Sequence, residues 1–358
     1  MSHPRINQFE RITRPEASAG ELGYRMPAEW EPQACVWVAR PHNAETWPGC
    51  LEQARQQFDD WVEAMHAHVP VSTTDELNVP TNDSWIRDFG PIFVVRDESV
   101  PSATDSKGRP LPPLAAHDFI FNGWGGKYEQ RELDDKVPQH IARAVGVPLW
   151  VHDFVLEGGS VDVNGRGTLL TTEQCLLGPN RNPDFDKAGI EQELRDALGV
   201  SNIIWLPGGI EGDDTDGHVD DVARFVSEDT VVAIQAPRDH PDHDVLWANR
   251  KALEQARDQD GGRLNVVPLP VPEPLWYDYP ADRFGAGGRQ IVPASYANFL
   301  ISNGAVFVPV FGQASDDQAL RTLDEVLPGH TVVPVRAEWL VIGLGAVHCL
   351  SQQQPAVG

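Results

Sequence analysis

From residue 26 onward, short apolar runs alternate with amphipathic stretches, and glycine- and proline-containing turns separate them. Runs rich in Val, Ile, Leu, Phe and Thr predict strands at 34–39, 91–95, 118–121, 148–151, 160–163, 168–172, 203–206, 219–226, 231–235, 264–269, 299–302, 305–308 and 331–335. Apolar residues at helical spacing predict helices at 51–66, 134–145, 190–198, 246–258 and 317–327, with Phe58, Val62 and Met65 on one face of the first. Each helical stretch is followed within a few residues by a strand run, so the pattern predicts an α/β fold. The polar residues 1–25 read as a loosely held, flexible arm. No low-complexity linker divides residues 26–358, which read as a single domain. The stretches 100–118 and 240–244 read as surface excursions.

Composition supports a folded body: of 358 residues 41% are hydrophobic, with 11 Trp and 13 Phe. No run approaches the roughly 20 apolar residues of a membrane span, and the first residues lack a signal-like apolar core, so a soluble cytoplasmic protein is expected. The formal charge of −25 comes from 53 acidic against 28 basic residues. Such a charge repels nucleic acid and anionic membranes, which excludes both as partners. It is tolerable where salt screens self-repulsion, over a Debye length of about 3 Å at 1 M, and therefore points to a halophilic cytoplasm. The 4 cysteines, Cys35, Cys50, Cys175 and Cys349, form no CxxC pair, so neither a disulfide framework nor a cysteine-rich zinc site is expected.

Four polar segments do not read as surface. "TNDSWIRDFGPIFVV" carries Asp88, "VLEGGSVDV" carries Glu157, "PGGIEGDDTDGHVDDVARFV" carries His218 and Asp220, and "GLGAVHCLSQQQP" carries Cys349. Each puts a reactive or charged side chain beside glycine at a predicted strand end, where backbone can approach a ligand closely. His218 and Asp220 are two apart, so an extended strand turns both to one side. An EF-hand reading fails, because a loop with Asp216 and Gly217 at positions five and six would start at Gly212 and end at Ala223. His240 and His243 lack a clear third ligand, and no phosphate-cradling glycine loop occurs. A protease-like Cys–His pair gains little from three carboxylates. A guanidinium gains much: its rigid fork of N–H donors matches carboxylates, and its charge favours an adjacent thiolate.

The stretches "MPAEW" (26–30), "WIRDFGP" (85–91), "NGWGGKY" (122–128), "LEGGS" (156–160), "TTEQCLLGPNRNP" (171–183), "GDDTDGHVDD" (212–221), "ASYANF" (294–299) and "HCLSQQQP" (348–355) resemble, in order, the agmatine deiminase family. That family is related to bacterial peptidyl-arginine deiminases within the guanidino-group modifying superfamily. The resemblance implies the pentein fold, a five-bladed α/β propeller with pseudo-fivefold symmetry. It implies hydrolysis of agmatine to N-carbamoylputrescine and ammonia, a step toward putrescine, through an amidino-cysteine intermediate and with no metal or organic cofactor. By position it makes Cys349 the nucleophile and His218 the general acid and then base. Glu157 would hydrogen-bond the histidine and help hold the guanidinium, and Asp88 and Asp220 would clamp it. Asp214, Trp124 and Trp85 are candidates for the aminobutyl tail. The other cysteines and Trp30, Trp37 and Trp47 are assigned to packing. The resemblance is compatible with a homodimer.

Two departures bear on specificity. The family pattern GGGNIHC reads "GLGAVHC" here, with Leu344 for a glycine and Ala346 for an asparagine, and Arg40 stands before Pro41 where the family often has tryptophan. An inward-pointing Arg40 would disfavour a cationic tail. The alternatives left open are another guanidine (free arginine, peptidyl-arginine or an alkylguanidine), an amidinotransferase, and a non-catalytic guanidine-binding pentein.

Overall fold

The computed structural model describes residues 9–13, 17–96, 104, 110–280 and 287–357. Its sheets repeat one small topology. In each repeat a central strand pairs antiparallel with one neighbour and, after a helix, parallel with the next. Ile92–Arg96, Leu114–Ile120 and Leu149–Val155 form one such set around the helix Val137–Val145. Asp162–Val163, Thr168–Thr172 and Asn202–Leu206 form another around Lys187–Leu198. Ala223–Phe225, Thr230–Gln235 and Asn265–Pro270 flank His243–Gln255, and Leu300–Ser302, Ala305–Val310 and Thr331–Arg336 flank Asp316–Val326. In the remaining set Gln33–Val38 pairs parallel with Val71–Thr73 after the helix Leu51–Met65, and its antiparallel partner is the last strand, Ser351–Pro355. The fold is therefore mixed α/β, and Gln33–Val38 shares a sheet with the last strand.

All five expected helices are present, each offering an apolar stripe to a sheet; Phe58, Trp61 and Met65 of the first are buried. Two expected strands are shortened by turns. Residues 158–160 and 219–221 form single 3-10 turns ahead of Asp162–Val163 and Ala223–Phe225. His218 and Asp220 thus share a side through a turn and not through strand alternation.

The strand Ser351–Pro355 was not expected, because its three glutamines look solvent-facing. They are buried, and each amide makes a hydrogen bond: Gln352 Nε2 donates to the Pro91 carbonyl (2.7 Å), Arg87 donates to Gln353 Oε1 (2.7 Å) and Trp37 Nε1 donates to Gln354 Oε1 (3.0 Å). The hairpin of Leu275–Tyr279 and Gly288–Val292 was also missed.

Of the expected arm, residues 1–8 and 14–16 lie outside the described residues, while the remainder is tied down. Arg11–Ile12 pairs with Leu149–Trp150, Tyr24–Arg25 pairs with Val95–Arg96, and the buried Tyr24 hydroxyl donates to the Pro112 carbonyl (2.6 Å). Of the expected excursion at 100–118, residues 100–103 and 105–109 lie outside the described residues, and 114–118 belong to a strand. No helix among the described residues is long and apolar enough to cross a membrane.

Candidate active site

Four segment ends bring the reactive groups together. Asp88 sits in the single helical turn Ile86–Phe89, which stops at Gly90; there a Cβ would lie 2.3 Å from the Ile86 carbonyl oxygen. Its Oδ2 accepts from Trp124 Nε1 (2.8 Å) and its Oδ1 from the Gly159 N–H (3.0 Å). Burial, then the charge of Asp220, push the Asp88 carboxyl well above the ordinary range.

Gly159 marks the point of convergence. A Cβ there would fall 2.5 Å from His218 Nδ1, 2.9 Å from Asp88 Oδ1 and 3.0 Å from Asp220 Oδ2, so only glycine leaves these groups room to meet. His218 Nδ1 is 3.6 Å from Asp88 Oδ1, and neither ring nitrogen has a hydrogen-bond partner among the described residues. Burial of its ring pulls the imidazole down to about 3, against the opposing charge of Asp220, so the resting ring is neutral.

Cys349 is buried, 3.8 Å from Asp220 Oδ2 and 3.0 Å from Asn298 Nδ2. Burial first, then the negative charges of Asp220, Asp221 and Asp88, push its thiol well above the usual range. Asp220 behaves oppositely. Burial alone would raise it, but the hydrogen bond and charge of His348, with His218 and Arg224, hold it below the ordinary value. Its Oδ1 is buried and unpartnered.

Glu157 is fully buried, but its Oε1 accepts from Arg181 Nε (2.7 Å) and its Oε2 has no partner. The expected hydrogen bond to His218 is therefore absent: Arg181 takes the carboxylate and also pairs with Asp216 (2.9 Å). The burial that empties the His218 ring of partners also demands a counter-charge for Glu157, and Arg181 supplies it.

Trp85, Asp88, Trp124, Asp214, Leu344 and Cys349 line one narrow pocket, together with Thr46, Asp83, Tyr128, Thr215 and Gly343. Asp214 accepts a hydrogen bond from the Tyr128 hydroxyl, and Trp85 packs on Trp47 with ring centroids 5.2 Å apart. Leu344 stands at φ +76°, in the left-handed region, between two glycines whose Cβ atoms would strike Trp47 and Trp85. Arg40 is not at this pocket. It forms a two-pronged ion pair with Asp59 (2.9 and 2.7 Å) on the exposed surface, which removes the expected conflict with a cationic tail.

Several residues of the site had no assigned role in the sequence reading. Asn298 reaches the sulfur from the "ASYANF" stretch. His348 stands between Asp220 Oδ2 (2.6 Å) and Glu29 Oε2 (2.8 Å), and Arg224 pairs with the same Glu29 oxygen (2.8 Å). The available signal was position inside the quoted motifs, since Glu29, Arg181, Asn298 and His348 all fall there. Two trios have ligand atoms within 4.8 Å of one another, Glu157–Cys175–His218 and Asp220–Asp221–Cys349, and both overlap this site.

Known proteins are similar to this chain over nearly its whole length. An agmatine deiminase of Medicago truncatula is 36% identical, covering 94% of this chain and 97% of its own. One of Pseudomonas aeruginosa is 35% identical, covering 96% and 99%. The solved structure of an agmatine deiminase of Enterococcus faecalis superposes with a TM-score of 0.87 at 32% identity, covering 96% of this chain and 99% of that one. Residues 25–355, which carry every group that meets around Gly159, match the family described as Porphyromonas-type peptidyl-arginine deiminase, and the chain belongs to it.

Proposed function

We propose that this protein is an agmatine deiminase that hydrolyses its substrate through a covalent amidino-cysteine. The observation that carries the reading is the meeting of Asp88, Asp220 and His218 around Gly159, with the Cys349 sulfur beside Asp220. A guanidinium spanning Asp88 and Asp220 is held at two edges, and its central carbon faces the sulfur. Its positive charge offsets the carboxylates that keep Cys349 protonated, so the thiol proton passes to His218 as the cation binds.

The thiolate adds to the guanidinium carbon, forming an S–C bond. One C–N bond then breaks, and the leaving nitrogen takes the proton of the His218 imidazolium and departs as ammonia. Neutral His218 next takes a proton from water, whose oxygen adds to the same carbon. The S–C bond breaks as the added hydroxyl gives its proton to solvent, releasing the neutral carbamoyl product, and the freed thiolate takes back the proton held by His218. Glu157, held by Arg181, makes no direct bond to His218. Trp124, Trp85 and Asp214 receive the aminobutyl tail, with Asp214 facing its ammonium. Three aspartates in the lining, Asp83, Asp88 and Asp214, favour a small dication over a protein-bound arginine.

The five like sheets support the five-bladed propeller, because a ring requires the last strand to complete the first sheet, as Ser351–Pro355 does. The test is ammonia release from agmatine, arginine, a blocked peptidyl-arginine and simple alkylguanidines in concentrated KCl. Turnover of agmatine that disappears in Cys349→Ser is expected. Turnover of a different guanidine moves the substrate, and turnover of none by folded protein refutes the reading.

A further inference from the structure

We propose that Asn298 is a catalytic residue of this site, its side-chain amide donating a hydrogen bond to the Cys349 sulfur and holding it as the thiolate. The inference rests on the cysteine-nucleophile reading above and adds a residue to it.

The Asn298 amide is fully used. One Nδ2 proton goes to Cys349 Sγ (3.0 Å) and the other to Asp221 Oδ1 (2.9 Å). Its Oδ1 accepts from the backbone N–H of His348 (3.0 Å) and of Cys349 (3.4 Å). Exchanging nitrogen and oxygen would face the oxygen toward a carboxylate and a sulfur, and the nitrogen toward two N–H donors. The neighbours therefore fix which end donates. Asn298 is almost wholly buried, and its backbone carbonyl also accepts from the His348 N–H (3.1 Å), so the donor cannot swing away without releasing the nucleophile's own backbone.

The need for such a donor is local. Asp220, Asp221 and Asp88 all oppose negative charge on the sulfur, and Asn298 is the hydrogen-bonding group that favours it. Position 346, three residues before the nucleophile, offers only a methyl group. A hydrogen bond to a charged group shifts an ionisation equilibrium about ten- to hundredfold, a change that an S–H thiol would not feel to the same degree. Asp221 ties the same amide to the turn Val219–Asp221, so the donor is positioned against the segment that carries the clamp Asp220.

The experiment measures the pH dependence of Cys349 alkylation by iodoacetamide in Asn298→Ala and Asn298→Asp, alongside kcat and KM for agmatine and a thermal melt. Cys349→Ser defines the labelled site. In Asn298→Ala the alkylation midpoint is expected to rise by about one unit or more, with kcat falling ten- to hundredfold and KM moving less than about threefold. Asn298→Asp keeps the side chain's size and an acceptor for the two backbone N–H groups, so it guards against a folding failure. Once ionised it places charge beside the sulfur, and the midpoint rises further. An unchanged midpoint in folded variants overturns the proposal, even where turnover is lost, because a purely structural asparagine would lower activity without moving the thiol. Failure of wild-type turnover on every guanidine would instead sink the deiminase reading, and the alkylation result would still report on the hydrogen bond.

Discussion

Replacing His348 by alanine tests whether the buried charges beneath the nucleophile act as one unit. The ring stands between Asp220 Oδ2 (2.6 Å) and Glu29 Oε2 (2.8 Å), so each nitrogen faces a carboxylate. The variant loses two contacts to carboxylates, at roughly 1.5–3 kcal/mol each. Proton uptake by Asp220 recovers part of that sum. The net loss is expected near 3–5 kcal/mol, the usual cost of removing one member of a buried pair. Glu29 keeps Arg224 at 2.8 Å, so Glu29→Gln is expected to cost less. Urea unfolding of both single variants and the double variant, in concentrated KCl at pH 7, gives the coupling, expected at roughly 1–3 kcal/mol. The sign with pH follows from two depressed carboxyls. Against burial, Arg224 and His348 hold Glu29 far below its ordinary value, and His348 does the same in direction for Asp220. Their stabilisation is complete above about pH 4.5 and is lost as pH falls through the folded-state values, so His348→Ala should flatten the acid limb. Strictly additive losses, or a cost below about 1 kcal/mol for His348→Ala, would refute the reasoning.

Leu344→Gly should change specificity more than stability. Relief of left-handed strain, about 1–2 kcal/mol, roughly offsets the lost leucine packing. Measured by ammonia release, bulkier N-substituted guanidines should gain about tenfold in kcat/KM relative to agmatine, and an unchanged ratio would mean that the side chain faces protein and not ligand. Arg40→Ala should leave KM for agmatine within about twofold, because Asp59 already engages the guanidinium on the surface; a larger fall in KM would reinstate it as a barrier to the tail. Burial, then the charge of Asp83, raise the Asp134 carboxyl to about 8. An acid raised in the folded state loses stability as pH climbs from about 4 to 8. Asp134→Asn should therefore melt higher than the native protein at pH 8.5 and gain least near pH 5; an equal difference at both would exclude that titration.

The helices were legible because an apolar stripe on a solvent-facing helix leaves a period in the sequence, as Phe58 and Met65 do. The strand Thr168–Thr172 was legible to the residue, since it is built wholly of Thr and Leu, with the strand-favouring β-branched Thr at three positions. The last strand was not. Gln352, Gln353 and Gln354 are buried by hydrogen bonds to Pro91, Arg87 and Trp37, partners that local sequence does not announce. The same limit divides the site. Asp88, Glu157, His218, Asp220 and Cys349 stand beside glycines and could be picked out one segment at a time. The Glu157–Arg181 pair, the His348 bridge to Glu29 across 319 positions and the Asn298 contact to Cys349 across 51 exist only once the segments meet.

The site's own groups hold one another unreactive. Burial raises the Cys349 thiol and lowers the His218 imidazole, so on the proposed mechanism neither is in its working charge state. Supplying a permanent cation beside Cys349 would activate the sulfur at all times, but it would also occupy Asp88 and Asp220. The buried guanidiniums are instead set against other carboxylates, Arg181 against Glu157, Arg224 against Asp162 (2.5 Å) and Glu29, and Arg87 against Glu29 (3.8 Å), while His348 engages Oδ2 of Asp220. Among the described residues Asp220 Oδ1 has no hydrogen-bond partner, and Asp88 accepts from the neutral donors Trp124 and Gly159. The missing charge is then that of the substrate. Binding of the guanidinium and ionisation of the thiol become one linked event, and a neutral ligand of the same shape would fill the pocket without activating it.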